Sequence, residues 1–271
     1  MKEKLKGFPI CYAVNLEESV ERREYMEAEW DRLGLDGTVC QYKRLDDPEC
    51  DIVVKGDPEV LKLLPLGTTT SHLLTIKRFY ETTLYDMCAI FEDDCDFSTV
   101  DKWPFVWEDY VKKLGHVWDG IQLCVMHEGY AVMYPRQRNG FDHGLQCYII
   151  KRHYAKKLID YYFEDDKTIN FKMPWHPQKQ PAQRFHPTVE NVVYGLGIFY
   201  NHPLFNHNIP KFQSTVWTSA QPKEHKIAID SYKYVHNWWN VKGSKGTLDQ
   251  LFDYNWCCPP TQSYGNVFPI Y

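Results

Sequence analysis

The sequence predicts an α/β fold, a mostly parallel sheet with helices on both faces and a loop-rich C-terminal lobe. Three observations carry that expectation. Short apolar runs with strand character alternate with stretches of helical periodicity as far as Phe163. One run, Cys88-Ala-Ile-Phe91, stops at four acids within five positions, Glu92, Asp93, Asp94 and Asp96. Open α/β sheets hold their ligands at the carboxyl ends of strands, where such a cluster would stand. From Glu164 onward the periodicity weakens, and Pro174, Pro177, Pro181, Pro187, Pro203 and Pro210 interrupt any long helix.

Each element follows from a local signal. Phe8 to Val14 reads as a first strand ending at Asn15-Leu16. Ser19 opens a helix whose Met26, Trp30 and Leu33 share one face, and Gly34 closes it. Val39 to Tyr42 is a second strand, and Asp46 to Pro65, broken by Pro48, Gly56 and Pro58, is a loop. Gly67-Thr-Thr-Thr70 marks a helix entry with a Thr or Ser71 as N-cap, then Leu73, Ile76, Tyr80 and Leu84 on one face. After the acid-tipped strand come a helix at Val106 to Leu114, strands at Ile121 to Met126 and Gln146 to Ile150, and a helix at Arg152 to Phe163. The C-terminal third reads as a loop-rich lobe packed on the sheet and not as an independent domain.

Composition narrows the function. The 271 residues carry a net charge of −5, which argues against a broad nucleic-acid or anionic-membrane footprint. The basic run Lys151-Arg-His-Tyr-Ala-Lys-Lys157 reads as the solvated face of a helix. Aromatics at 15% suit a Tyr-rich core and also the platforms of a sugar cleft. Nine cysteines without a CxxC pair argue against a zinc site. The apolar stretch Phe8 to Val14 is too short for a signal peptide or membrane span, so a reducing, cytoplasmic setting is expected.

Crowded carboxylates repel one another, and a divalent cation relieves the repulsion. Oxygen-only ligands suit Mg²⁺ or Mn²⁺, which in turn hold substrate phosphates. Asp94 belongs to both overlapping acid-x-acid pairs, Glu92/Asp94 and Asp94/Asp96, and Asp93 would then point elsewhere. The alternative is a strand that ends in a solvated acidic turn.

Five segments in order resemble glycosyltransferase family 25, the lipooligosaccharide-type galactosyl- and glucosyltransferases. They are Tyr12-Ala-Val-Asn-Leu16 with Glu21-Arg-Arg23, Gly67-Thr-Thr-Thr-Ser-His-Leu73, and Ala89-Ile-Phe-Glu-Asp-Asp94. His143-Gly-Leu-Gln-Cys-Tyr-Ile-Ile150 with Ala155-Lys-Lys-Leu158, and Pro187-Thr-Val-Glu190 with Pro203-Leu204 and Gln213-Ser214, complete the set. The chain departs from the family where Cys95-Asp96 follows Glu-Asp-Asp, and where Glu190 replaces a common Asp. Residues beyond about Thr215, including Trp238-Trp239 and Trp256-Cys-Cys-Pro-Pro260, have no counterpart.

The resemblance implies a GT-A fold and an inverting hexosyltransferase that uses a sugar nucleotide, UDP-linked, with Mn²⁺ or Mg²⁺. It implies metal ligation by Asp94 with Glu92, Asp96 being the alternative partner that this chain's departure from the motif leaves open, and donor contacts from Asn15, one of Arg22 and Arg23, Ser71, His72 and Asp93. Glu190 is the implied general base for an acceptor hydroxyl. His143 and Gln146 are candidates for the acceptor side, and one of His176, His186, His202 and His207 for the metal shell. The expected acceptor is a saccharide, or alternatively a hydroxymethylated DNA base. Further alternatives are a catalytically inactive sugar-binding relative and, more distantly, a phosphatase or nuclease.

Overall fold

The computed structural model describes residues 1–115, 117–127, 132–139, 142–172, 188–208, 211–212 and 222–258. Strand β1 (Ile10–Leu16) passes through Ser19 into helix α1 (Val20–Leu33), whose Met26, Trp30 and Leu33 are all buried. Gly34 ends the helix at φ 67°, a left-handed turn that a side chain would strain. β2 (Gly37–Tyr42) then lies parallel to β1.

The segment expected as a loop instead holds β3 (Val53–Gly56) and α2 (Pro58–Leu63), which Asp57 caps. Helix α3 (Leu66–Thr82) has Pro65 as its N-cap, ahead of the expected cap. Its hydroxyls bond back to carbonyls one turn earlier: Thr69 to Pro65, Ser71 to Gly67 and Thr75 to Ser71. That back-bonding lets a Thr-rich stretch run helical and buried. Leu73 and Ile76 face the core, whereas Leu84 lies beyond the helix end and is 90% exposed.

β4 (Met87–Glu92) carries the acids, and the two-residue β5 (Cys95–Asp96) follows. Then come α4 (Trp107–Leu114), β6 (Gly120–Gln122), β7 (Arg136–Gln137), β8 (Cys147–Lys151) and α5 (Arg152–Tyr162). β9 (Thr168–Phe171) pairs with β3, the partner that made the earlier segment a strand. α6 (Val189–Tyr194), β10 (Phe199–Asn201) and β11 (Asn206–His207) lead to α7 (Pro222–Val241), α8 (Leu248–Leu251) and α9 (Tyr254–Cys257). Among the described residues of the C-terminal third, α7 alone spans 20 residues.

Seven strands form one sheet in the order β2-β1-β4-β8-β6-β10-β7. The expectation of a mostly parallel sheet needs correction, because the sheet is mixed. β8 runs antiparallel to both β4 and β6, and β7 is antiparallel to β10. Parallel neighbours need a crossover, usually a helix, and the described residues between β6 and β8 contain none.

Alternation along the central strands sends successive side chains to opposite faces. Cys11, Ala13, Ala89, Phe91, Cys147 and Ile149 join one core, covered by α1, α4 and α7. Tyr12, Cys88, Ile90, Tyr148 and Ile150 join the other, covered by α3, α5 and α6. Burial of each large side chain there contributes roughly 1.5–3 kcal/mol. Val235, Trp238, Trp239 and Leu251 share a cluster with Trp103, Tyr110 and Phe205, so the last helices pack directly on the sheet layer. The nine cysteines form no disulfide. No described helix is long and apolar enough to cross a membrane.

Candidate functional site at the acid-tipped strand

β1 and β4 run parallel in register, Val14 beside Glu92, so Asn15 and the acids leave the sheet at the same end. Asn15 is 1% exposed, and its amide donates to Asp93 Oδ2 at 2.7 Å and to the Ser19 carbonyl at 3.1 Å. From the first turn of α1, Arg22 reaches Asp93 at 2.8 Å and Asp94 at 3.3 Å. Arg23 points the other way, to Gln41 and the Glu17 carbonyl at the exposed surface. The two adjacent arginines therefore have separate fates.

Asp94 sits between Arg22 and His207, its Oδ2 3.0 Å from His207 Nε2 and 3.3 Å from the Arg22 guanidinium. Burial works against the charge on Asp94, but His207 and Arg22 outweigh it and hold the carboxyl below its ordinary range. His207 is raised in turn, because the Asp94 charge overcomes the burial that disfavours an imidazolium. Asp93 goes the opposite way, up to about 6, from burial and from the charge of Asp94, against the pull of Arg22.

Glu92 turns to the other side of the strand end. His72 Nε2 lies 3.2 Å from one of its oxygens, and Gln146 donates to the other at 2.9 Å. His72 is fully buried, its second nitrogen 3.0 Å from the Tyr148 hydroxyl. Ser71 and His72 do not begin a helix, as the Gly-Thr-Thr-Thr signal suggested, because α3 starts at Leu66 and they lie in its second turn. Helix-terminal amides at these two residues are therefore not available to an anion. Ser71 instead bonds back to Gly67, and His72 acts through its ring.

Asp96 commits both oxygens to its own turn, accepting from the Ser98 amide and hydroxyl at 2.8 Å each. The three acids expected to share a cation thus diverge. Among the described residues, no three His, Cys, Asp or Glu side chains converge as a ligand group. The strand end does offer Asp94 Oδ1, buried and without a hydrogen-bond partner. A cation carried on a diphosphate needs only one or two protein carboxylates, since phosphate and water complete its shell. The donor set fits such a shared cation and does not fit a resident cage.

Because β8 is antiparallel, its entry loop comes to the acid end of the sheet, and the Glu92 amide bonds to the Gln146 carbonyl. Two residues earlier, Gly144 has φ 112°, and a Cβ there would meet the Cys124 carbonyl at 2.9 Å. Its amide donates to Glu190 Oε1 at 3.0 Å, and His143 Nδ1 lies 3.8 Å from the same oxygen. Glu190 stands in the first turn of α6, which Thr188 caps. Glu190 is thereby joined to Glu92 through Gly144 and Gln146, along one polar floor.

Sequence reasoning named His207 without choosing it among four histidines. Its selection depends on β11 pairing with β5, His207 opposite Cys95, a long-range contact that leaves no local signal. His202 belongs to the core, its ring nitrogen 3.1 Å from the Tyr110 hydroxyl. His176, His186, Pro174, Pro177, Pro181, Pro187, Pro210, Gln213, Ser214, Pro259 and Pro260 lie outside the described residues.

No protein-family model matches the chain, and no curated protein matches it. Among solved structures, A197 from STIV aligns with a TM-score of 0.39 and 10% sequence identity, over 76% of this chain and 87% of that one. A likeness at this level establishes neither a shared fold nor a shared activity.

Proposed function

We propose that the chain transfers a hexose from a sugar nucleotide, UDP-linked, to a saccharide hydroxyl with inversion, using Mn²⁺ or Mg²⁺ on the donor diphosphate. The observation that supports this reading is Asp94, buried at a strand end with one oxygen between Arg22 and His207 and the other unpaired. Asp94 would hold the cation through Oδ1, with Glu92 the next carboxylate along the strand. When bound, the cation supplies Lewis-acid neutralisation of the diphosphate as it leaves.

The chain's own residues supply the rest. Asn15 and Arg22 fix Asp93, which would accept hydroxyls of the donor ribose or sugar. His72 and Gln146 fix Glu92 at the strand end. Glu190, oriented by the Gly144 amide, takes the proton of the attacking acceptor hydroxyl.

The test is a panel of sugar nucleotides, with and without Mn²⁺, read by thermal stabilisation and by donor hydrolysis. Asp94→Asn should abolish metal-dependent stabilisation, and EDTA should do the same to the unaltered chain. Full donor turnover in EDTA overturns the metal assignment. No interaction with any donor overturns the transferase reading.

A further inference from the structure

We propose that Arg138 recognises an acidic group, a carboxylate or a phosphate, on the saccharide that presents its hydroxyl to Glu190. The inference rests on the glycosyl-transfer reading and adds the chemical class of the acceptor. Glu190 and Tyr194 are four residues apart on α6 and so share one face of that helix. The Arg138 guanidinium lies over the Tyr194 ring, 4.8 Å from its centroid. The Tyr194 hydroxyl donates to the Gly144 carbonyl at 3.2 Å, and Gly144 is the residue whose amide holds Glu190. Arg138 is therefore one aromatic ring away from the base.

Among the described residues its charge is not matched. The neighbouring carboxylate, Asp142, is fully buried, and its two oxygens are taken by Arg136 and by the Asn139 amide. Among the described residues, Arg138 donates only to the Asp142 backbone carbonyl, at 2.9 Å, and its buried Nε has no hydrogen-bond partner. No carboxylate among the described residues lies within ion-pairing distance of it. A half-buried guanidinium with donors to spare selects planar or tetrahedral oxyanions through paired hydrogen bonds. Were Arg138 only a strut for the edge strand, the ring stack and the single carbonyl would suffice, and acidic and neutral sugars would behave alike.

The experiment titrates the full chain with methyl glucuronide, methyl glucoside 6-phosphate and neutral methyl glucoside, followed by ligand-observed NMR. The acidic probes should bind about tenfold or more tightly than the neutral one, the value of a charge-assisted contact. Arg138→Gln should erase that preference, and Arg138→Lys, which keeps the charge without the fork, should retain part of it. A glucuronide effect alone points to a carboxylate, and a phosphate effect alone to a phosphorylated sugar; either supports the assignment. Equal or absent binding of all three probes, or a preference that survives Arg138→Gln in a folded variant, overturns it. Donor binding by the unaltered chain is measured separately. Its failure removes the transferase reading, while an Arg138-dependent acid preference would still stand.

Discussion

Arg22 and Arg23 are neighbours in sequence with the same chemistry, and their surroundings make them different residues. Arg22 is nearly buried between Asp93 and Asp94, where removing one member of a paired set leaves like charges facing each other. Arg22→Ala should therefore weaken donor binding by about 1.5–3 kcal/mol and lower the melting temperature as well. Arg23→Ala, at the exposed Gln41 contact, should stay within about 0.5 kcal/mol in both measurements. Equal losses from the two substitutions would remove Arg22 from the site. Glu190→Gln keeps shape and hydrogen bonding but cannot accept a proton. It should lower transfer about 10²–10⁴-fold with donor binding retained. The same variant can trap the acceptor, and capture of modified duplex DNA in place of a saccharide would replace the acceptor class.

The antiparallel entry of β8 is the feature of element scale that builds the site. A parallel strand in that position would deliver its carboxyl end to the acids, and Gly144 and Gln146 would lie at the far edge of the sheet. As built, Gly144→Ala puts a Cβ against the Cys124 carbonyl in a backbone conformation that L residues avoid. We expect it to lower transfer more than donor hydrolysis, because the amide that aims Glu190 moves. The opposite ranking in steady-state kinetics would separate Gly144 from the acceptor half. Helix α7 has a comparable anchor in Trp239, fully buried, with its indole N–H donating to the Pro203 carbonyl at 2.9 Å. Trp239→Ala should cost about 3–5 kcal/mol in urea unfolding, the usual effect of emptying a large aromatic site. A loss below about 1 kcal/mol would show that α7 contributes little to the stability of the sheet layer.

The whole molecule joins two cores across one sheet, and His202 lies in the one under α7, its ring tilted against Tyr110 at 5.6 Å and Trp239 at 6.4 Å. Burial pushes its imidazole down to about 3 from an ordinary 6.5. Between those values the unfolded chain binds a proton that the folded chain does not. Stability should accordingly hold above pH 6.5 and decline as pH falls through that window, by up to about 1.4 kcal/mol per pH unit from this group. His202→Gln should flatten the acid limb of a stability–pH curve, and an unchanged limb would assign acid sensitivity to other groups. By itself, the amino-acid sequence determined what depends on neighbours within a few positions. That includes the Met26-Trp30-Leu33 face, the Gly34 stop, the apolar run into Glu92-Asp-Asp94, and the alternation that divides residues 87–92 between two cores. Tertiary structure alone decided what depends on chain segments far apart. It reversed β8, made 53–56 a strand by supplying β9, and brought His207 across from β11 to Asp94. It also directed Arg22 inward and Arg23 outward. Periodicity records which side of an element is apolar, whereas pairing, direction and the partner of a buried charge are properties of contacts between elements, which local spacing does not encode.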